Sequence, residues 1–224
     1  MPNILAIDTS NNQCSVALNR DGEIKSAVCT QVRQHAKRLL PMIEQILHEN
    51  SQTLKALDAI AFVNGPGSFT GLRIGAGVAQ GLAFGATLPV LALSTLAVMA
   101  QKARQQVAAQ YFLVAMQARE DEVYFAIYQC SAVDMCLLGK EQVCAPAQIT
   151  IAEEILQGNC CAVGDGWQQN PLLDKIAGKC TQQIVNCDAD AISLSQLAQT
   201  RFGTGAALAP EFALPVYLKE QMDY

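Results

Sequence analysis

No Asp, Glu, Lys or Arg occurs between Arg73 and Lys102. An uncharged stretch of that length has two physical destinations: a bilayer, whose core takes about 20 continuous apolar residues in a helix, or the interior of a packed core. The stretch is not uniform. Gly75, Gly77, Gly81 and Gly85 interrupt its first part, Thr87-Leu88-Pro89 breaks it, "PVLALS" reads as a strand, and Thr95 opens another helical run. Proline ends a helical ladder and the apolar period changes, so the passage is assigned to buried helix, strand and helix, and no membrane span is expected. With 224 residues of which 51% are hydrophobic, the chain has ample apolar material for such a core.

The flanking segments fix the fold class. "NILAIDTS", "CSVALNR" and "EIKSAVCT" read as three strands, the last two joined by Asp21-Gly22, a strong hairpin signal. Residues 3–30 are therefore expected to form an antiparallel meander. From Val32 to Leu47 the residues Val32, Ala36, Leu39, Ile43 and Ile46 alternate spacings of four and three, giving an amphipathic helix with a seam like that of a coiled coil. Pro41 either marks a helix start near residue 40 or bends the helix. "LDAIAFVNG" is a buried strand, 71–86 a helix, "PVLAL" a strand and 95–105 a helix, so an α/β layer follows the meander. "YFLVAMQ" and "EVYFAIYQ" then start the strand pattern again. Two lobes related by a weak internal repeat, 1–106 and 107–224, are expected. "CCAVGDGW" ends a further strand, residues 191–202 form a helix, and "PEFALPVYLKEQMDY" is expected as a tail packed over the surface.

Composition excludes several function classes. A formal net charge of −5 with only 16% charged residues gives no basic field to hold nucleic acid. The nine cysteines include no Cys-x-x-Cys pair, which argues against a disulfide framework and a zinc site and for reduced thiols used as small apolar residues in a cytoplasm. His35 and His48, the two histidines, match no helical metal-ligand spacing. The N-terminus has no basic region before its apolar run, so no signal peptide is expected.

One stretch resembles a phosphate cradle: Asn64-Gly65-Pro66-Gly67-Ser68-Phe69-Thr70-Gly71-Leu72-Arg73-Ile74-Gly75. A Walker loop needs a lysine, and none lies between Lys55 and Lys102; the dinucleotide pattern needs a third glycine where Thr70 stands. What remains is a turn feeding a helix N-terminus with Ser68 and Thr70 as caps, an end receptive to an anion. Asp8-Thr9-Ser10, after the first strand, reads either as a metal–phosphate holder or as an Asx turn, and Asp165 between two glycines offers the same pair of readings. The helix that follows has glycines in its interior, each costing about 1 kcal/mol against alanine. Gly77, Gly81 and Gly85 form one ridge at a spacing of four, and Gly75, Ala79 and Ala83 another, so two neighbouring backbones are expected to approach closely, one within the fold and one from a second chain.

"ILAIDTSNNQCSVAL", "HAKRLLPMIEQIL", "NGPGSFTGLRIGAGVAQGLAFG", "LPVLALSTL", "EVYFAIY", "GDGW" and "LPVYLK" together resemble the TsaB (YeaZ) family over nearly the whole chain, most specifically at the Gly-Pro-Gly block. That family comprises accessory subunits of the bacterial machinery that makes threonylcarbamoyladenosine in tRNA. The resemblance implies an α/β, actin-like (ASKHA) two-lobe fold, each lobe a mixed sheet with helices. It implies a heterodimer with the catalytic relative TsaD, cooperation with the ATPase TsaE, a homodimer in isolation, and only indirect contact with tRNA. The complex transfers threonylcarbamoyl from threonylcarbamoyl-AMP to an adenosine beside the anticodon. By position the docking helices are 35–49 and 71–86, which brings in His35, Leu39, Leu40, Ile43, Ile46, Leu47, Arg73, Ile74, Gly77, Val78, Gly81 and Gly85.

Two departures bear on activity. The catalytic relative holds its metal through His-x-x-x-His, and Thr95 and Met99 stand at those places here; neither replaces an imidazole, so a metal-assisted step is not expected on this chain. Gln117 stands in "AMQAR" where the family reads Asp-Ala-Arg, which weakens Mg-nucleotide binding. The expectation is a non-catalytic subunit with no cofactor of its own, ATP or ADP at the subunit boundary being left open. The alternative is an actin-like ATPase or phosphotransferase using Asp8, Ser10, Gly65, Gly67, Ser68 and Thr70. Two distant histidines and no Gly-x-Ser-x-Gly elbow argue against a peptidase.

Overall fold

The Asp21-Gly22 turn closes its hairpin with both residues at positive φ, 51° and 89°, the left-handed pair that a two-residue turn matched to strand twist requires. It joins β2 (Cys14–Arg20) to β3 (Glu23–Cys29) in unbroken register from Arg20↔Glu23 to Cys14↔Cys29. With β1 (Ile4–Asp8) antiparallel to β2, this is the expected meander. The computed structural model describes residues 1–119, 121–168 and 170–218.

After α1 (His35–Glu49), β4 (Ala59–Gly65) lies parallel to β1, and after α2 (Phe69–Ala86), β5 (Val90–Ser94) lies parallel to β4, giving the order β3-β2-β1-β4-β5. α3 (Thr95–Arg104) leads out of this sheet. The second sheet contains β6 (Tyr111–Gln117), β7 (Val123–Cys130) and β8 (Met135–Cys144) as an antiparallel meander. After α4 (Glu153–Gln157), β9 (Cys160–Val163) pairs parallel with β6; after α5 (Pro171–Ala177), β10 (Gln182–Ile184) pairs parallel with β9. The order β10-β9-β6-β7-β8 repeats the first sheet's pattern of meander and parallel extension. The chain thus has an α/β, actin-like fold of two mixed sheets, and the internal repeat read from the strand pattern is one of topology.

The division of the chain differs from the one expected at residue 106. One unit is Met1–Val98 together with Ala189–Val216, and the other begins at Met99 and runs to Asp188. The reason lies in contacts between residues far apart in sequence. α6 (Ala191–Arg201) returns to the first sheet: the Ala191 N–H donates to Ser15 Oγ at 3.0 Å, and Gln199 Nε2 donates to Asn19 Oδ1 at 2.9 Å and to the Pro2 carbonyl at 3.1 Å. The segment behind it is not merely draped on the surface. Val90 and Leu208 exchange backbone hydrogen bonds at 2.9 and 2.8 Å, Ala213 is buried in the core, and the Val216 N–H donates to the Asn64 carbonyl at 2.7 Å. Residues 219–224 of the expected tail lie outside the described residues.

Strand alternation decides which helix lies where. Leu5, Ile7, Val16, Leu18, Ile60 and Phe62 pack with α1 and α2 in one cluster, and the intervening Ala6, Ala17 and Ala61, all fully buried, are the small residues on the face that α6 covers. α1 begins at His35 and runs through Pro41 instead of starting near residue 40. A proline inside a helix costs about 3 kcal/mol. Burial of Leu39, Met42, Ile43, Ile46 and Leu47 against the sheet, at about 1.5–3 kcal/mol each, outweighs it.

All nine cysteines are unpaired thiols. Burial, then the neighbouring Cys29 and Asp8, pushes the Cys14 thiol up to about 12; burial and Cys160 push Cys161 up to about 11. Folded Cys14 therefore holds its proton more tightly than the unfolded chain, whose ordinary value is 9.0, so the stability this contributes is complete below pH 9 and declines as pH rises towards 12. We expect urea stability to fall between pH 8 and pH 10.5, less steeply in Cys14→Ala, and iodoacetamide at pH 8 to label exposed Cys136 while sparing Cys14 and Cys161 until urea is added.

Candidate functional site

β1 delivers Asp8, Thr9 and Ser10 against the start of α2, and both partners are shaped for the contact. The Thr9 hydroxyl donates to the Gly71 carbonyl at 2.8 Å, and the Ser68 N–H donates to the Ser10 carbonyl at 2.7 Å. A Cβ on Gly71 would run into the Thr9 carbonyl, one on Gly75 into the Thr9 hydroxyl, and one on Gly67 into the Ser10 carbonyl. Gly65, at φ 125°, would meet the Val216 carbonyl at 2.5 Å. The glycines of the Gly-Pro-Gly block thus admit the chain's own backbone.

Asp8 is buried, its Oδ1 accepting from the Ser10 N–H at 2.8 Å, the Asx turn read from the sequence. Asn11 Nδ2 lies 3.4 Å from the other carboxylate oxygen and donates to the Ala189 carbonyl at 3.0 Å. His35 Nε2 sits 3.0 Å from the Asn11 carbonyl and 3.2 Å from the Gln13 carbonyl; both are acceptors, so Nε2 carries the proton. His35 therefore ties the start of α1 to the loop that also seats α2.

Ser10, Gly67 and Ser68 come together as the phosphate-loop reading requires. Ser68 Oγ caps α2 by accepting from the Gly71 N–H at 3.2 Å, while Thr70 is exposed on the first turn. Two N–H groups that an anion would use, those of Ser68 and Gly71, are already taken. The Ser10 hydroxyl, only 3% exposed, has no hydrogen-bond partner among the described residues. In the second unit, Asp165 Oδ1 accepts from the Gln117 N–H at 2.9 Å, and a Cβ on Gly166 would press on Ala115. The Thr95 hydroxyl donates to the Pro66 carbonyl at 2.5 Å, and Met99 is buried. Among the described residues no three of His, Cys, Asp and Glu are placed to hold a metal ion.

The expected docking residues divide sharply. On α1, Leu39, Ile43, Ile46 and Leu47 are buried in the first unit's own core and His35 is engaged as above, so the apolar seam faces the sheet and not a second chain. Leu40, half exposed, remains on the outer side. On α2, Gly75, Ala79 and Ala83 are buried, the inner ridge: Gly75 lies against Thr9 at the exit of β1, and Ala79 and Ala83 share a core cluster with the sheet and with Leu39, Ile43 and Ile46 of α1. Arg73, Gly77, Gly81 and Gly85 are exposed, with Ile74 and Val78 half buried beside them. Among the described residues, nothing outside the helix's own backbone lies within 4 Å of a Cβ built on Gly77, Gly81 or Gly85.

Two members of this outer face went unread in the sequence. Phe69 and Phe84 are 49% and 78% exposed, and the Arg73 guanidinium stacks 3.7 Å above the Phe69 ring. The signal was there: stepping back by four from Gly77 reaches Arg73 and then Phe69. Because the inner glycines meet backbone and the outer ones meet nothing, Gly77→Ala is expected to stabilise the isolated chain by up to about 1 kcal/mol, and Gly71→Ala to destabilise it by more than that. Urea denaturation of the two variants checks both signs.

The family model described as TsaD: tRNA N6-adenosine threonylcarbamoyltransferase matches residues 27–199. The Escherichia coli (strain K12) tRNA threonylcarbamoyladenosine biosynthesis protein TsaB is 40% identical over 220 residues, spanning 98% of this chain and 95% of that protein. The Haemophilus influenzae protein of the same name is 36% identical, spanning 99% of this chain and 95% of that one. A solved structure described as YeaZ from Pseudomonas aeruginosa superposes with a TM-score of 0.89 at 39% identity, covering 97% of this chain and all of that one.

Proposed function

The chain belongs to the family of the tRNA threonylcarbamoyladenosine biosynthesis protein TsaB, and from that premise we propose that it is a non-catalytic subunit required for that tRNA modification. In this reading the outer face of α2, joined by the exposed side of α1 at Leu40, docks a catalytic subunit of the TsaD type. The docked pair, working with the ATPase TsaE, transfers threonylcarbamoyl from threonylcarbamoyl-AMP to N6 of the tRNA adenosine. A net charge of −5 supports leaving the tRNA to the other subunits.

The observation that carries the reading is the outer glycine row. Three glycines inside a helix cost about 3 kcal/mol against alanines, and at Gly77, Gly81 and Gly85 no contact among the described residues uses the space that the missing side chains leave. A second helix backbone laid along the row recovers that cost through close packing. Phe69, Phe84 and Leu40 supply apolar area on either side, in the manner of interface anchors.

One observation favours the alternative of a nucleotide site. The buried, unpartnered Ser10 hydroxyl beside Asp8 has a desolvation cost that an incoming polar ligand would relieve. Against it stand the N–H groups of Ser68 and Gly71, which are spent within the chain. Calorimetry with ATP and Mg²⁺ on the isolated chain separates the readings: the subunit reading expects no micromolar binding and no turnover.

For the docking face, Gly81→Arg is expected to abolish co-purification with the catalytic subunit and to lower tRNA modification in a reconstituted system at least tenfold, with the melting temperature of the isolated chain unchanged or raised. Association at the wild-type level in this variant would remove the face from consideration.

A further inference from the structure

At its C-terminal end α2 runs into a groove of about 590 Å³ between its last turn and the segment 207–211. Phe84, Leu88, Leu208 and Pro210 give it apolar walls, Thr87 a polar spot, and Glu211 the one charge among the described residues. Phe84, 78% exposed, belongs both to this groove and to the outer face of α2, next to Gly81 and Gly85 in the helix. The groove therefore continues the docking face, and an occupant of one reaches the other without a break.

Its electrostatics are one-sided. A helix C-terminus carries about half a negative charge on its last carbonyls, and α2 has no basic residue in its last turn to offset it. The carbonyls of Ala83 and Phe84 accept from the N–H groups of Thr87 and Leu88, but those of Gly85 and Ala86 lack ladder partners: Pro89, four residues after Gly85, has no N–H, and the N–H of Val90, four after Ala86, is spent on Leu208. Glu211, exposed on the rim, makes no ion pair among the described residues. Apolar walls, carbonyl dipoles and a carboxylate together ask for an apolar side chain with a cation beside it.

We propose that this groove receives a segment of the same partner that docks along α2, an apolar residue seated between Phe84 and Leu208 with a neighbouring lysine or arginine reaching Glu211 and the end of the helix. The proposal rests on the docking face described above and deepens it: the glycine row lets the partner approach, and the groove fixes how far along α2 it lies. A groove that accepts one register only turns a uniform ridge, along which a helix could slip by one turn, into a defined seat.

The test measures binding of the catalytic subunit from the same organism to the full chain at low and moderate salt. Relative to wild type, Glu211→Lys is expected to weaken binding about tenfold at 50 mM salt and less at 300 mM, because charge contributions are screened. Glu211→Gln is expected to show a smaller loss in the same direction, and Ala209→Trp, which fills the groove, to weaken binding about tenfold at both salt concentrations. Unchanged melting temperatures certify the folds. A photo-crosslinker at Ala209 in the assembled complex is expected to capture a partner peptide carrying an apolar residue with Lys or Arg within a few positions. If wild type binds, Gly81→Arg abolishes binding and the groove variants bind within twofold of wild type, the groove assignment is wrong while the docking face stands. Capture of an acidic peptide, or loss of self-association alone on sedimentation, overturns the assigned occupant. If wild type fails to bind, or Gly81→Arg binds as wild type does, the docking face falls and the groove assignment with it.

Discussion

The contact of Thr9 and Ser10 with the first two turns of α2 is the one on which the rest of this unit depends. Thr9 donates to the Gly71 carbonyl, Ser10 accepts from Ser68, and Gly71 and Gly75 lack the side chains that would keep the two backbones apart. The helix is thereby held by its own N-terminal turns against the end of β1. Its rotation about its axis follows, because 3.6 residues per turn then carry Ala79 and Ala83 inward and Gly77, Gly81 and Gly85 outward. A bulkier residue at Gly71 or Gly75 would do more than lose a contact: it would change which face of α2 the molecule presents.

The same loop gathers the other helices. His35 donates from α1 to the carbonyls of Asn11 and Gln13, Asn11 reaches Ala189 just before α6, and Ser15 accepts from the first N–H of α6. Residues 8–15 thus bear on every helix packed on the first sheet. Few of these bonds face solvent, so their net worth is set less by their strength than by the cost of leaving a buried group unpaired. Against that background the unpartnered Ser10 hydroxyl is an exception in an otherwise satisfied loop.

α2 uses glycine for two opposite purposes within five turns. Inside, glycine allows contact already made within the chain. Outside, it leaves space that the described residues do not fill, and the apolar residues beside that space, Phe69 and Phe84, are exposed. The exit of β9 shows the inner use again: Gly164 and Gly166 lie against Ala115 as Gly71 lies against Thr9. The two sheets share this device along with their strand order.

Much of this was legible in the amino-acid sequence, and the rest was illegible for identifiable reasons. The meander, the Asp-Gly turn, the strand–helix alternation and the start of the pattern again at Tyr111 are local signals, carried by period and turn chemistry within a few residues. The two ridges of small residues on α2 announced close backbone approaches, and the missing lysine excluded a Walker loop. Which backbone approaches was not written locally, because Thr9 and Gly71 are 62 positions apart. The seam of α1 misled for a related reason: a stripe such as Leu39, Ile43 and Ile46 fits a sheet as well as a second helix, and only packing chooses between them. The return of 189–216 to the first unit depends on hydrogen bonds spanning up to 197 positions, and β8, with Lys140 and Glu141 on an edge, has too little alternation to stand out as a strand. The sequence by itself determined the elements of the first sheet and the presence of two ridges of small residues on α2; only the tertiary structure decided that one ridge is filled from within and that the other stands open among the described residues, since that depends on what lies opposite each small residue.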